Sequence, residues 1–260
     1  MKILVTFALE AEFAPWRRMR GFRRERWGCT DVSVAAIGEA QVGVALTGVG
    51  PRQAAITASR LVSFERDSLK FCISSGLAGA LRPEYPIGRL LAARSVSSEA
   101  QRASPDRILE SSPPLVSFAT ALGAAPVDRF YTADRVIVRV QEKKHLGRDA
   151  DAVEMESYEV LRKCAECGIP AVAIRAVSDT VEQELPFDMN EIFDDRGQVS
   201  MPQVMGQLVR HPRSLSALVS LGRRSKRAAE SLGKFLERYI AFLAERASNL
   251  EAQPRVAAAS

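Results

Sequence analysis

The sequence predicts an α/β fold: a single domain built on a twisted mixed β-sheet flanked by helices, with a C-terminal helical extension. Three observations carry this reading. Apolar runs of strand length alternate with stretches of helical period. Several of those runs are apolar at nearly every position, as strands covered on both faces are. Beyond residue 200 the strand pattern gives way to Leu- and Arg-rich helical stretches. With 260 residues, 47% hydrophobic and 26% charged, the chain can bury a large core, which excludes the disordered, collagen-like and disulfide-scaffold classes.

In chain order, residues 2–8 (KILVTFA) are one apolar run, and the next stretch, with Glu10, Glu12, Trp16 and Met19, reads as a short helix ending at Gly21. Val32–Ile37 and Val42–Leu46 are β-rich runs separated by Gly38, and Pro51 opens a helix through Ala54, Ala58 and Leu61. Phe71–Ser75 is a buried strand ending in Ser-Gly-Leu-Ala-Gly, followed by a strand-like Ile87–Val96 and a surface loop over Glu99–Pro114. Val127–Thr132 and Val136–Val140 are two further short runs, with a polar helical stretch through Lys143 and Lys144. Ala152–Val153 leads into a helix from near Glu154 to Gly168, where Gly followed by Pro170 supplies a C-terminal stop before the last central strand, Ala171–Val177. This gives a core over 1–195, a basic amphipathic extension over 196–250 with helices at 201–210 and 214–246, and a frayed tail over 251–260.

The charge is localised. Met201–Asn249 holds nine basic residues against three acidic ones, so this segment carries +6 of a chain whose formal net charge is +5. The body of the protein is close to neutral, which argues against a nucleic-acid partner. Either a solvated helix face or a contact with an anionic surface over 210–246 accounts for the basic segment. The N-terminal run is too short and its flank too acidic for a signal peptide, and no apolar run reaches the ~18 residues of a membrane span. These features predict a cytoplasmic chain. Cys164 and Cys167 form one Cys-x-x-Cys without a second pair, so no metal site is expected. Trp16 and Trp27 bracket a basic stretch that suits a pocket rim, a subunit surface or a solvated loop.

In open α/β sheets ligands bind at the carboxyl ends of strands, and four strand ends here deliver polar groups. They are Glu10 and Glu12, Gly76-Leu77-Ala78-Gly79, Glu154-Met155-Glu156, and Arg175 to Asp179. With the blocks LVTFALEAEF, TGVGPRQAA, SSGLAGAL, TADRVI, DAVEMES and AIRAVSD, residues 1–190 resemble the nucleoside phosphorylase and nucleosidase superfamily, its methylthioadenosine/adenosylhomocysteine nucleosidase branch above all.

That resemblance implies a phosphorylase/hydrolase-like fold, cleavage of an N-glycosidic bond between ribose and a base, no cofactor, and a homo-oligomer acting on a small nucleoside. It makes Asp179 the general acid that protonates the leaving purine, provided burial keeps the carboxyl protonated; otherwise Asp179 caps a turn. Glu156 would hold the ribose hydroxyls, with Met155 against the sugar and Ser178, Gly76, Leu77 and Ala78 around it. Arg175 is a further substrate-site candidate, although pairing with a buried carboxylate suits it better. Glu12 would activate water, with Glu10 as its competitor. Val136 and Ile137 fall in the block that reads the purine edge, where an aromatic often stacks.

The superfamily's phosphorylases carry an Arg two residues before the glycine of SSGLAGAL and a hydroxyl just after it; Ser74 and Leu77 stand there. Glu10 and Glu12 would repel a phosphate dianion, leaving Arg52, in Gly48-Val49-Gly50-Pro51-Arg52, as the one residue suited to phosphate. Hydrolysis is therefore preferred over phosphorolysis, and Leu77 and Val136, standing where the superfamily keeps a hydroxyl and often an aromatic, leave a non-catalytic nucleoside-binding or membrane-surface protein of the same fold as the other alternative. The ending LVRHPRSLSALVSLGRRSKRA resembles that of the hopanoid-associated phosphorylases, which implies a lipid-linked adenine nucleoside such as adenosylhopane and a peripheral location at the inner membrane face.

Overall fold

Ile3, Leu4 and Val5 are fully buried, so Lys2–Phe7 (β1) can only be an interior strand. The computed structural model describes residues 1–99, 108–185, 189–192, 194, 197–200, 203–204, 206 and 215–252. After β1 come α1 (Glu10–Met19), β2 (Arg23–Trp27), β3 (Thr30–Ile37), β4 (Ala40–Leu46), α2 (Pro51–Phe64), β5 (Leu69–Ala80), β6 (Leu90–Ser98) and β7 (Ile108–Glu110). Then follow α3 (Pro113–Ala121), β8 (Ala125–Thr132), α4 (Val140–Leu146), β9 (Ala152–Glu154), α5 (Ser157–Glu166), β10 (Ala171–Asp179) and α6 (Leu215–Ala252), with a 3-10 turn at Met189–Ile192.

The sheet is mixed and partly closed. β1 lies parallel to both β4 and β5, and β3 and β2 extend that side antiparallel. On the other side β5 pairs with β10, β10 with β6, β6 with β8, β8 with β9, and β9 returns to the end of β5. This loop of pairings curls the sheet into a barrel whose rim gathers the ends of β9 and β10 beside β1. One face is covered by α2 and α5, through Ala54, Ala58, Leu61, Tyr158 and Leu161. The other is covered by α1, α3 and α6, through Phe13, Trp16, Leu115, Leu232, Phe235 and Tyr239.

Local differences from the sequence expectations have physical causes. β5 does not stop at Ser75 but runs through Gly76-Leu77-Ala78-Gly79, because the glycines let neighbouring side chains lie close against the strand. Ile87–Val96 forms its strand only from Leu90. Within Glu99–Pro114, residues 100–107 lie outside the described residues, while Ile108–Glu110 adds a short strand to β6 and Pro113 opens a helix by the same N1 preference seen at Pro51. Val136–Val140 is not a strand: Val136 and Ile137 face a cavity, and Val140 begins α4.

The basic stretch between the tryptophans is divided between the end of α1 and the edge strand β2, whose exposed arginines suit an unpaired edge. Trp27 is buried across Gly43, where a Cβ would meet its ring at 2.0 Å. Trp16 is buried under α6 and donates its indole N–H to Glu237 at 2.8 Å. The expected 201–210 helix and the tail beyond residue 252 lie mostly outside the described residues, as do parts of 184–195. Among the described residues no helix is long and apolar enough to cross a membrane.

Candidate active site

The first helix starts directly after β1, so its leading N–H groups need acceptors. Glu12 supplies one by turning back. Its Oε2 accepts the Ala8 and Leu9 N–H groups at 3.0 and 3.1 Å, and its Oε1 accepts the Leu77 N–H of β5 at 3.0 Å. Gly76 stands behind this carboxylate with φ +145°, and a Cβ there would come within 3.2 Å of Oε1. Burial pushes Glu12 above the usual carboxylate range, against the pull of its three N–H donors and of the Arg175 charge. Glu10 points away and pairs with Arg17 at 2.8 Å in solvent.

Between β9 and α5 the chain places two carboxylates with different tasks. Glu154 is fully enclosed: it accepts the Glu156 and Ser157 N–H groups at 3.0 and 2.7 Å, the Thr132 hydroxyl, and the Arg175 guanidinium. Arg175 is itself fully buried beneath the cavity. It is a structural counter-ion of Glu154, and it reaches Glu156 only at 3.6 Å. Glu156 accepts the Gly50 N–H at 3.0 Å through one oxygen. Burial first, and the neighbouring Glu154 charge second, push its acid up to about 8.

At the end of β10, Asp179 accepts the Ser178 hydroxyl at 2.7 Å on Oδ1 and the Lys143 ammonium on Oδ2. Gly79 makes room for it, since a Cβ there would lie 3.0 Å from Oδ2. Lys143 has no role in the sequence reading. It sits in a polar stretch beside Lys144, and a helix as short as α4 offers no apolar period to show that one lysine is buried and the other exposed.

One cavity is bordered by Glu12, Glu156 and Asp179 together. Leu77, Ala78, Val136, Ile137, Met155 and Ser178 also line it. The structure adds Ala8, Leu9, Val49, Arg135 and Val153, which lie inside the quoted blocks without standing out there, and Leu185, which lies beyond them. Gly76 and Arg175 lie behind the wall, the one shaping Glu12 and the other anchoring Glu154. Arg52 is exposed on the first turn of α2 and lies outside the lining, and the nearby Gly50 N–H is already taken by Glu156. Ser74 is buried against Ser157 at 3.0 Å and brings no cation to the site. Cys164 is packed against Cys72, and among the described residues no three His, Cys, Asp or Glu side chains gather as a metal cluster.

Such a cavity, apolar with three convergent carboxylates, suits a compound with an apolar ring face and vicinal hydroxyls. The chain is 27% identical over 189 residues to a 5'-methylthioadenosine/S-adenosylhomocysteine nucleosidase of Staphylococcus aureus, covering 65% of this chain and 81% of that one. In three dimensions it is similar to a 5'-methylthioadenosine/S-adenosyl homocysteine nucleosidase of Helicobacter pylori (TM-score 0.71, 19% identity, 92% of this chain and 97% of that one). A futalosine hydrolase mutant of the same organism is similar too (TM-score 0.70, 18% identity, 92% and 98% covered). The family profile described as Phosphorylase superfamily matches residues 2–210, most of the chain, and on that match the protein belongs to the phosphorylase superfamily.

Proposed function

We propose that the protein hydrolyses the N-glycosidic bond of an adenine nucleoside. The observation that carries this is the convergence of Glu12, Glu156 and Asp179, from three distant stretches of chain, on one cavity. Asp179 delivers a proton to the leaving purine between Val136, Ile137 and Ser178. Glu156 accepts hydrogen bonds from the ribose hydroxyls and faces the positive charge that builds on the sugar as the bond to the base stretches. Glu12, fixed by its N–H donors and raised by burial, takes a proton from the water that attacks C1′. No cofactor takes part.

Hydrolysis is favoured over phosphorolysis because Arg52 stands outside the cavity lining and Ser74 brings no cation. The expected outcome is that purified protein releases adenine from adenine nucleosides at the same rate with and without phosphate, leaving free ribose or its 5′-substituted form. Asp179→Asn should lower kcat by about 10²–10⁴-fold, the usual worth of a general acid. Release that requires phosphate, or that is unchanged in Asp179→Asn, contradicts the reading.

The finer proposal concerns the 5′ substituent, taken to be bulky and apolar, as in adenosylhopane. Support comes from the cavity mouth. Leu185 lines the cavity, and next to it Gln183 and Glu184 border a groove completed by Ser216, Ala217, Ser220 and Arg224 of α6. Leu215 and Val219, exposed on the same turns, offer an apolar contact for a lipid surface beside the site. Self-association belongs to the same proposal and is supported by Ile56 and Phe64, exposed together on α2.

A further inference from the structure

Lys143 is a fully buried charge that the roles above leave unused. Its Nζ meets the Asp179 Oδ2 and the carbonyls of Thr180 and Gln183 at 3.2 and 2.9 Å, so all three N–H donors of an ammonium are engaged. The other Asp179 oxygen accepts the Ser178 hydroxyl. Both carboxylate oxygens thus face donors, so the contacts are those of an ammonium–carboxylate pair buried at the edge of the cavity.

We propose that Lys143 is the positioning residue and proton partner of Asp179, and that the proton given to the leaving base reaches Asp179 from the Lys143 ammonium. This inference rests on the hydrolase reading. When substrate displaces water from the cavity, the Lys143 Nζ–H bond breaks and an Asp179 O–H bond forms, turning a buried ion pair into a neutral amine and acid with the same number of protons. The geometry accommodates both forms. The amine keeps two N–H groups for the Thr180 and Gln183 carbonyls, and its lone pair faces Asp179. The Asp179 O–H then breaks as an N–H bond forms on the purine, while the electron pair of the C1′–N bond leaves with the base. Water adds to C1′ and its surplus proton goes to Glu12. After product release the proton on Glu12 passes to solvent, and Lys143 regains one from solvent.

Other ionisable groups surround the pair. Glu12 and Glu156 face it across the cavity, with the Glu154–Arg175 pair behind them. Arg135, bound to Glu142, lies at the rim, and Lys144 pairs with Glu182 at 3.0 Å on the surface, where His145 is also exposed. Asp151, under the end of β5, is held by Arg82 and Tyr85. All of these remain in variants at position 143, so a difference between variants reads the pair.

The test is the pH profile of kcat for adenine release at saturating nucleoside, in the wild type, Lys143→Met and Lys143→Arg. With a lysine reservoir, the wild-type rate holds until the ammonium itself loses its proton. In Lys143→Met the alkaline limb should move to lower pH by about one unit or more. Lys143→Arg keeps the charge but releases no proton, so it should hold KM within about threefold while kcat falls about 10²-fold. A Lys143→Met limb at the wild-type position, or full kcat in Lys143→Arg, overturns the proposal. A second readout needs no turnover: the carbon-13 shift of the Asp179 carboxyl should report a carboxylate at neutral pH in the wild type, and a carboxyl protonated there overturns the pair. A protein that cleaves no nucleoside but passes this second test would fail the hydrolase reading alone.

Discussion

Glu156 shows how a single side chain links function to stability. Burial, then the charge of Glu154, raises its acid from 4.5 to about 8, so the folded protein holds a proton that the unfolded chain has already released. That contribution to stability is fully present below pH 4.5 and is lost as the pH rises through about 8. Glu12, raised by burial, acts with the same sign. The melting temperature of the ligand-free protein should therefore fall between about pH 5 and 8, and Glu156→Gln, which cannot titrate, should flatten that fall. An equally steep fall in the variant would contradict the burial of Glu156 beside Glu154 as the cause. The three carboxylates were legible in the sequence because each lies at or just beyond the end of a strand-like run, although Glu10 stayed a competitor of the preferred Glu12 until one was seen to face β5 and the other solvent. Arg175 was legible only as an ion-pair partner, and Lys143 not at all, since a buried lysine is defined by acceptors more than thirty residues away in sequence.

At the scale of elements, α6 divides into two parts. From Leu221 onward its apolar stripe is core: Leu232, Phe235, Leu236 and Tyr239 are fully buried, and Gly233 lets α6 lie close against α1, where a Cβ would stand 3.1 Å from the Trp16 backbone nitrogen. Arg20 and Trp16 of the first helix region bind Glu237 and fix the crossing. The stripe thus packs on the sheet, and what remains for a lipid surface is the first two turns, with Leu215 and Val219 exposed ahead of Arg223, Arg224, Lys226 and Arg227. Flotation with anionic liposomes should be strong for the wild type and weaken when those four cations become Gln, at roughly 1 kcal/mol each near the surface. Unchanged flotation, or none at the outset, removes the membrane part of the proposal. The helical period beyond residue 214 foretold the buried stripe but not where burial begins, because Leu215 and Leu218 continue the same pattern. Likewise α3 was missed: Pro113-Pro114 reads as a break, although proline is well placed in a first helical turn.

For the molecule as a whole, the barrel closure does the work of assembly. β5 pairs with β1, β10 and β9 in turn, and so brings the turn after β1, the Glu-Met-Glu between β9 and α5 and the end of β10 to one rim. Alternating strands and helices made the α/β class and the mixed sheet readable in advance. The closure was not readable, because strand pairing is set by partners distant in sequence and by glycines at Gly76 and Gly79 whose purpose appears only when Glu12 and Asp179 lie against them. On the proposed function, this rim holds a nucleoside by its sugar and its base. A crystal structure with adenine and a ribose analogue bound tests it most directly. The Asp179 carboxyl is expected within hydrogen-bond distance of the purine ring, Glu156 on the sugar hydroxyls and Glu12 on a water below C1′; a ligand seated away from these three carboxylates would contradict the proposed function.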